Sequence, residues 1–230
     1  MILAAGKGER MQPLTLNCPK PLLEAGGKPL LEHWLVRLEA AGVREIIVNV
    51  AYLGAQIEQY VTQRHGLATI TVSRESEPLE TGGALYKALP LLGEAPFLLV
   101  NADVFCDVNV ASLIAQASMA EGGALFVLVP NPAHNPQGDF VLSNDGQVWA
   151  KDECAAVTSD SRSCTFSGVS VMSPALIAKY PHCREKFALR EVFQWALAQR
   201  LIRGRLHDGY WLDVGTPERL QALNTFLTES

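Results

Sequence analysis

Between Leu3 and Arg10 the chain reads Leu-Ala-Ala-Gly-Lys-Gly-Glu-Arg, a glycine-rich turn that carries two cations. Glycine at positions 6 and 8 allows positive φ and lets successive backbone N–H groups close on a polyphosphate. Lys7 and Arg10 add fixed positive charge. Position 11 is methionine, so the GxGxxG dinucleotide fingerprint fails, and there is no GK[ST] ending of a P-loop. Short motifs of this kind also arise by chance, and an ordinary Gly-rich turn competes with the phosphate-binding reading.

Four further places carry residue types suited to the same chemistry. Pro19-Lys20-Pro21-Leu22 sets a lysine between two prolines. Each proline fixes its own φ and restricts its predecessor, so Lys20 is expected on a stiff, extended backbone with its ammonium group ready for a phosphate. Asp103 follows the apolar run Phe97–Val100, at the carboxyl end of an expected central strand, where open α/β sheets bind ligands. Asp213, within Trp211–Glu218, supplies a second carboxylate. Magnesium prefers one or two carboxylates completed by substrate phosphates and water. Glu80-Thr81-Gly82-Gly83 stands at the mouth of a helix, where two glycines let the backbone lie flat against a base. Taken singly, each has a plain alternative: a solvated loop lysine, a loop aspartate, a glycine turn entering a helix.

The elements that must position these residues follow from hydrophobic period. Ile2–Ala5 is a short apolar run ending in glycine, and Glu45–Val50, Thr69–Ser73 and Phe97–Val100 read as strands. Between them, Leu30, Leu31, Trp34, Leu35 and Leu38 recur at helical spacing before Gly42. Leu53–Arg64 and Gly83–Leu92 are the next helices. This alternation predicts a doubly wound, mostly parallel sheet. The second half is mixed. Ala124–Val129 and Ser163–Met172 read as strands, and Asp139–Ser143 and Gln147–Lys151 flank an Asp145-Gly146 hairpin turn. Helices are expected at Ala175–Lys179, Leu189–Arg200 and Pro217–Leu227, with a strand near Gly209–Val214. Thr216-Pro217 reads as the N-cap and first residue of that last helix. One α/β domain over residues 1–230, with an α+β elaboration in its second half, is the expected fold.

Composition narrows the classes. A chain of 230 residues with 48% hydrophobic and 19% charged residues suits one domain with a sizeable core. A net charge of −5 gives no basic footprint for nucleic acid, and no apolar run approaches the ~20 residues of a membrane span. The five cysteines are scattered without CxxC spacing, which points to reduced thiols in a cytoplasm and away from disulfides or zinc. The N-terminus has no basic leader or cleavage pattern and reads as a first strand.

Together, Leu3–Met11, Pro19–Leu22, Asn101–Asp103 and Trp211–Glu218 resemble the signature of the sugar-nucleotidyltransferase family, in its order and across essentially the whole chain. The resemblance implies a Rossmann-like (GT-A-like) fold with roughly 1–105 as the nucleotide-binding half and 106–230 as the sugar-binding half. It implies transfer of a nucleotidyl group from a nucleoside triphosphate to a sugar 1-phosphate with Mg²⁺. Within the family, Glu77–Gly83, Gly138-Asp139-Phe140, Thr165–Gly168 and the short length look like the members that use UTP and N-acetylmuramate 1-phosphate in cell-wall peptidoglycan recycling. Guanylyl or thymidylyl transfer to mannose or glucose 1-phosphate is the competing assignment. No hexapeptide repeat of a C-terminal β-helix is present, and a monomer is expected.

Residue by residue, the resemblance implies that Gly6, Gly8, Glu9 and Arg10 wrap the triphosphate, with Leu3, Ala4 and Ala5 near base and ribose. Lys20 contacts the α-phosphate and the sugar phosphate. Thr81, Gly82 and Gly83 recognise the base, and Asn101 the ribose. Asp103 and Asp213 coordinate Mg²⁺; Arg10, Lys20 and Asp103 are the catalytic set. Asp139, Phe166, Ser167 and Gly168 face the sugar. A second lysine of the family matches poorly to Lys151-Asp152-Glu153, and the family's leader before the Gly-rich segment is longer than Met1-Ile2. Arg162, Lys186 and Arg190 are candidate partners for a lactyl carboxylate. Three rival classes fit less well. A dehydrogenase lacks its third glycine, and a glycosyltransferase lacks the first Asp of DxD, because position 101 is asparagine. A non-catalytic nucleotide-sugar-binding domain has no need for Lys20, Asp103 and Asp213 together.

Overall fold

The structure, a computed structural model, describes residues 1–120, 122–152 and 161–229. In chain order, β1 (Ile2–Leu3) leads to the short strands β2 (Glu24–Ala25) and β3 (Lys28–Pro29) and to helix α1 (Leu30–Ala40). There follow β4 (Glu45–Val50), α2 (Gly54–Gln63), β5 (Thr69–Arg74), α3 (Glu80–Leu92), β6 (Phe97–Asn101) and β7 (Val104–Cys106). Then come α4 (Val110–Ala115), β8 (Ala124–Val129), β9 (Phe140–Leu142), β10 (Val148–Ala150) and β11 (Arg162–Met172). The last elements are α5 (Pro174–Ala178), α6 (Leu189–Ala198), β12 (Ile202–Leu206), β13 (Trp211–Asp213) and α7 (Pro217–Glu229). Strands and helices make up both of the units described below, the α/β class expected. Among the described residues, no helix is long and apolar enough to cross a membrane.

The chain divides into two compact units. The first comprises Met1–Pro78, Val100–Ala111 and Tyr210–Ser230. Here β1 runs parallel between β4 and the end of β6, with Ile2 opposite both Val48 and Val100. β5 continues the parallel order beside β4. Ile46, Ile47, Val48 and Val50 of β4 are all buried, as a parallel strand covered on both faces requires. The apolar stripe of α1 is buried in full, and Gly42 sits just past its end at φ +90°, a left-handed stop.

The C-terminal segment returns to this first unit. β13 pairs antiparallel with β7, Asp213 opposite Val104. A core cluster of Met11, Leu23, Ala25, Leu30, Phe105, Val214 and Leu223 lies beneath. Each large apolar side chain so buried contributes roughly 1.5–3 kcal/mol. Met11 ends the glycine-rich segment, while Phe105 and Val214 stand beside the two candidate carboxylates in sequence. The loops are therefore anchored where chemistry was expected.

The second unit comprises Leu79–Leu99 and Ser112–Gly209. Its central strand β8 is buried along its whole length, antiparallel to β11 and parallel to β12. The hairpin β9–β10 turns at the expected Asp145-Gly146, with Gly146 at φ +81°, and β9 pairs antiparallel with β11. A bulge interrupts β11 between Phe166 and Ser170. The first unit takes in the C-terminal segment because β13 pairs with β7 and α7 packs over the same core.

The structure differs from the sequence reading in its elements. β2, β3, β7, α4 and β12 were not anticipated: β2, β3 and β7 are only two or three residues long, and β12 hides behind the alternating Arg203 and Arg205. Helix α3 also begins at Glu80, so Gly82 and Gly83 lie inside its first turn, not ahead of it.

Candidate active site

The glycine-rich loop leaves β1 under firm constraint. The Ala4 N–H donates to Asn49 Oδ1 at 2.8 Å, and Asn49 Nδ2 donates to Glu75 Oε1 at 2.7 Å. Asn49 is 3% and Glu75 7% exposed, so this is a buried polar chain at the strand ends of β4 and β5. Downstream, Gly8 adopts φ +64°, and its carbonyl accepts both the Met11 N–H and the Thr15 hydroxyl. A Cβ at Gly8 would lie 3.0 Å from Thr15 Cγ2 and 3.1 Å from Lys20 Cβ. Glycine is thus required twice over at that position, by conformation and by close approach. Gly6 differs from expectation. It is not in the left-handed region, and a Cβ there would meet nothing within 4 Å. Glu9 and Arg10 are exposed in a single 3₁₀ turn.

Lys20 is the most buried cation of the group. Its side chain is 9% exposed, and Nζ lies 2.5 Å from Asp103 Oδ2. The backbone is extended only at Pro19. Lys20–Leu22 then close a 3₁₀ turn through Leu22 N–H to Pro19 O at 2.8 Å, which corrects the extended geometry expected there. Asp103 sits between β6 and β7, and its carbonyl accepts the Val214 N–H at 2.9 Å. Asp103, just before β7, and Asp213, at the end of β13, therefore stand beside each other, joined through the backbone. α1 braces β7: Trp34 Nε1 donates to Val104 O at 2.6 Å and Arg37 Nη1 to Cys106 O at 2.7 Å. Burial pushes the Cys106 thiol up to about 11, so it is a packing residue and not a nucleophile.

Asp213 brings a residue the sequence reading overlooked. Arg219 Nη1 donates to Asp213 Oδ2 at 2.9 Å. α7 starts after Thr216 as expected, the Leu220 N–H bonding to Thr216 O at 3.0 Å. Arg219 is then the third helical residue, in a turn whose dipole disfavours cations. A cation in that position was the available signal. The Thr216 hydroxyl beside Glu218 holds that carboxyl below the usual range. Asn49 and Glu75 were also missed, although an asparagine inside the run Glu45–Val50 breaks the apolar pattern and marks a polar partner.

The donor set available to a hard divalent cation is small. No group of three or more His, Cys, Asp or Glu side chains gathers among the described residues. Two carboxylates, one in the turn before β7 and one at the end of β13, are the number that magnesium commonly takes from a protein when substrate phosphates and water complete its shell.

The second unit carries the other sequence-derived candidates. Gly82 and Gly83 are buried, and both N–H groups donate to Phe187 O, at 2.9 and 3.1 Å. A Cβ at Gly83 would lie 2.2 Å from Glu185 O, so these glycines let α3 pack against the 185–187 backbone. Thr81 Oγ1 accepts the Leu189 N–H at 3.1 Å, and Glu80 holds φ +61°. Asp139 Oδ2 accepts the Phe166 N–H at 2.9 Å, fixing the β11 bulge, where Gly168 has φ +81°. Ser167 is fully buried, and its Oγ accepts the Val169 N–H at 3.1 Å. Arg162, Lys186 and Arg190 are exposed. So are Lys151 and Asp152, while Glu153 lies outside the described residues.

Residues 1–230 match the sequence profile of a family described as nucleotidyl transferase. A Neisseria meningitidis serogroup B protein named N-acetylmuramate alpha-1-phosphate uridylyltransferase is 41% identical, over 96% of this chain and 94% of its own. A Caulobacter vibrioides protein of the same name is 34% identical, over 100% and 97%. Among solved structures, HddC from Yersinia pseudotuberculosis, complexed with GMP-PN, superposes with a TM-score of 0.76 at 23% identity, over 98% of this chain and 97% of that one. That likeness shows the shared fold.

Proposed function

The chain belongs to the nucleotidyl transferase family, and on that premise we propose that it transfers a uridylyl group from UTP to N-acetylmuramate 1-phosphate, releasing pyrophosphate. The observation that carries the choice of substrates is the 41% identity, along nearly the whole chain, to a protein named for that reaction. Peptidoglycan recycling in the cytoplasm is the setting that these substrates and the scattered cysteines, of which Cys18, Cys106, Cys164 and Cys183 are unpaired among the described residues, support.

In this reading a phosphate oxygen of the sugar 1-phosphate attacks the α-phosphorus of UTP. A new P–O bond forms as the bond to the pyrophosphate oxygen breaks. The attacking oxygen is already an anion, so no general base is needed. The difficulty is bringing two polyanions into line, and cations placed in advance answer it. Lys20, held at Asp103, contacts the α-phosphate and the incoming phosphate. Arg10 and the N–H groups of Gly6, Gly8 and Glu9 receive the β- and γ-phosphates. Asp103 and Asp213 would hold a magnesium ion, which would supply further neutralisation of charge at the α-phosphate. Orientation contributes on the order of 7–11 kcal/mol in well-aligned systems.

The remaining roles rest on the sequence likeness. Leu3, Ala4, Ala5 and Asn101 serve base and ribose, Thr81–Gly83 the base, and Asp139 with Phe166–Gly168 the sugar. Because the Gly82 and Gly83 N–H groups are engaged by Phe187, this segment would offer the base its exposed Thr81 face. Residues 1–230 act as one catalytic domain, with a nucleotide-binding half to about 105 and a sugar-binding half beyond, and the protein works as a monomer.

The test is pyrophosphate release with Mg²⁺, crossing UTP, dTTP, GTP and CTP against N-acetylmuramate, N-acetylglucosamine, glucose and mannose 1-phosphates. Turnover confined to UTP with N-acetylmuramate 1-phosphate is expected. Turnover with GTP and mannose 1-phosphate, or dTTP and glucose 1-phosphate, would keep the reaction and reject the substrates.

A further inference from the structure

We infer that Arg219 is a positioning residue that occupies Asp213 until a nucleotide arrives, so that the enzyme takes its divalent metal together with the nucleotide and not ahead of it. The inference rests on the reading of Asp103 and Asp213 as the metal carboxylates.

Three observations carry it. Arg219 stands in the first turn of α7, where the helix dipole opposes a cation, and it is held there by Asp213 Oδ2 at 2.9 Å. The two side chains are 18% and 26% exposed, close enough to solvent for the bond to exchange. Next, a Cβ at Gly215 would lie 2.6 Å from Arg219 Nη2 and 3.3 Å from Arg10 Nη2. Two guanidinium groups thus flank one glycine, and like charges so placed are relieved by an oxyanion bound to both. Lastly, Asp103 is engaged in the same manner by Lys20 at 2.5 Å.

Each candidate metal carboxylate therefore already holds a cation. A bare dication must displace both and then sit beside three positive charges. A nucleoside triphosphate changes the balance, because its phosphate oxygens give Lys20, Arg10 and Arg219 an alternative anion. The carboxylates are then released to the metal that the phosphates carry. Metal and nucleotide should bind with positive coupling, and by linkage each strengthens the other equally.

The experiment is titration of the protein with Mn²⁺, reading free Mn²⁺ by electron paramagnetic resonance, with and without a non-hydrolysable UTP analogue. The variants are Arg219→Gln, Arg219→Lys and Asp213→Asn. In the unsubstituted protein the analogue should tighten Mn²⁺ binding strongly. Arg219→Gln should bind Mn²⁺ without nucleotide roughly tenfold more tightly, the scale of one charge at a partly exposed site, and lose a similar factor of coupling. Arg219→Lys should restore the original behaviour in part. Unchanged or weaker Mn²⁺ binding by Arg219→Gln alone overturns the inference, provided Asp213→Asn weakens binding in the presence of the analogue. If Asp213→Asn binds as the unsubstituted protein does, the metal assignment itself fails, and the role of Arg219 fails with it.

Discussion

Lys20 Nζ lies 2.5 Å from Asp103 Oδ2, an ion pair between residues 83 positions apart in the chain. The lysine side chain is nearly buried and the aspartate about one-third exposed, so the carboxylate faces outward over a fixed ammonium group. Preorganised charge of this kind is what phosphoryl transfer uses.

Lys20→Ala and Asp103→Ala should each lower turnover by roughly 10²-fold or more, the scale seen on losing one electrostatic stabiliser. The double variant should lose much less than the product of the two, because the residues act as a unit. Steady-state pyrophosphate release on all three proteins measures this. Near-normal turnover in either single variant would sink its assigned role.

Asn49→Leu should damage the nucleotide loop from behind. It leaves the Ala4 N–H and the buried Glu75 carboxylate without their shared partner, at a cost of about 1–3 kcal/mol in stability. The KM for the nucleotide should rise while kcat changes less, since Asn49 shapes the loop without meeting the reacting atoms. Initial rates over a nucleotide series separate the two effects.

Gly83→Ala should destabilise the second unit by about 1–3 kcal/mol, because its Cβ would meet the Glu185 carbonyl oxygen. Thermal unfolding should show a lowered Tm for Gly83→Ala. Gly27→Ala tests strain instead of contact, since a Cβ there meets nothing within 4 Å but φ is +72°. Its penalty should be smaller.

Acid should act partly through Glu39. Hydrogen bonds from Arg64, at 2.6 and 2.9 Å, hold its carboxyl down at about 2 from an ordinary 4.5, with further bonds from the Ala68 and Leu67 N–H groups. A carboxyl depressed in the folded state contributes stability that is full above the unfolded value and lost as pH falls through the folded one. The advantage of the native protein over Glu39→Gln, about 2–3 kcal/mol at neutral pH, should therefore shrink from pH 4.5 down towards 2. Urea unfolding midpoints of both proteins across that window check it. A difference independent of pH would exclude the ionised carboxylate as its source.

Much of this molecule could be read from its residues in order. The strands Glu45–Val50 and Ala124–Val129, the α1 stripe and the Asp145-Gly146 hairpin are local patterns, since side-chain period and turn chemistry act over a few positions. The short segments holding Lys20, Asp103 and Asp213 were likewise visible as words of fixed spelling. What the linear order could not show was their company. Arg219 at Asp213, Asn49 between Ala4 and Glu75, and the Phe187 carbonyl under Gly82 and Gly83 are contacts made only when strands and helices pack. Glycine illustrates the division well. Glycine at positions 6 and 8 allows positive φ at both, yet only Gly8 meets Thr15 and Lys20 and adopts it. Local propensity chose the elements of this protein, and burial of polar groups, each of which must find a partner, chose who stands beside whom.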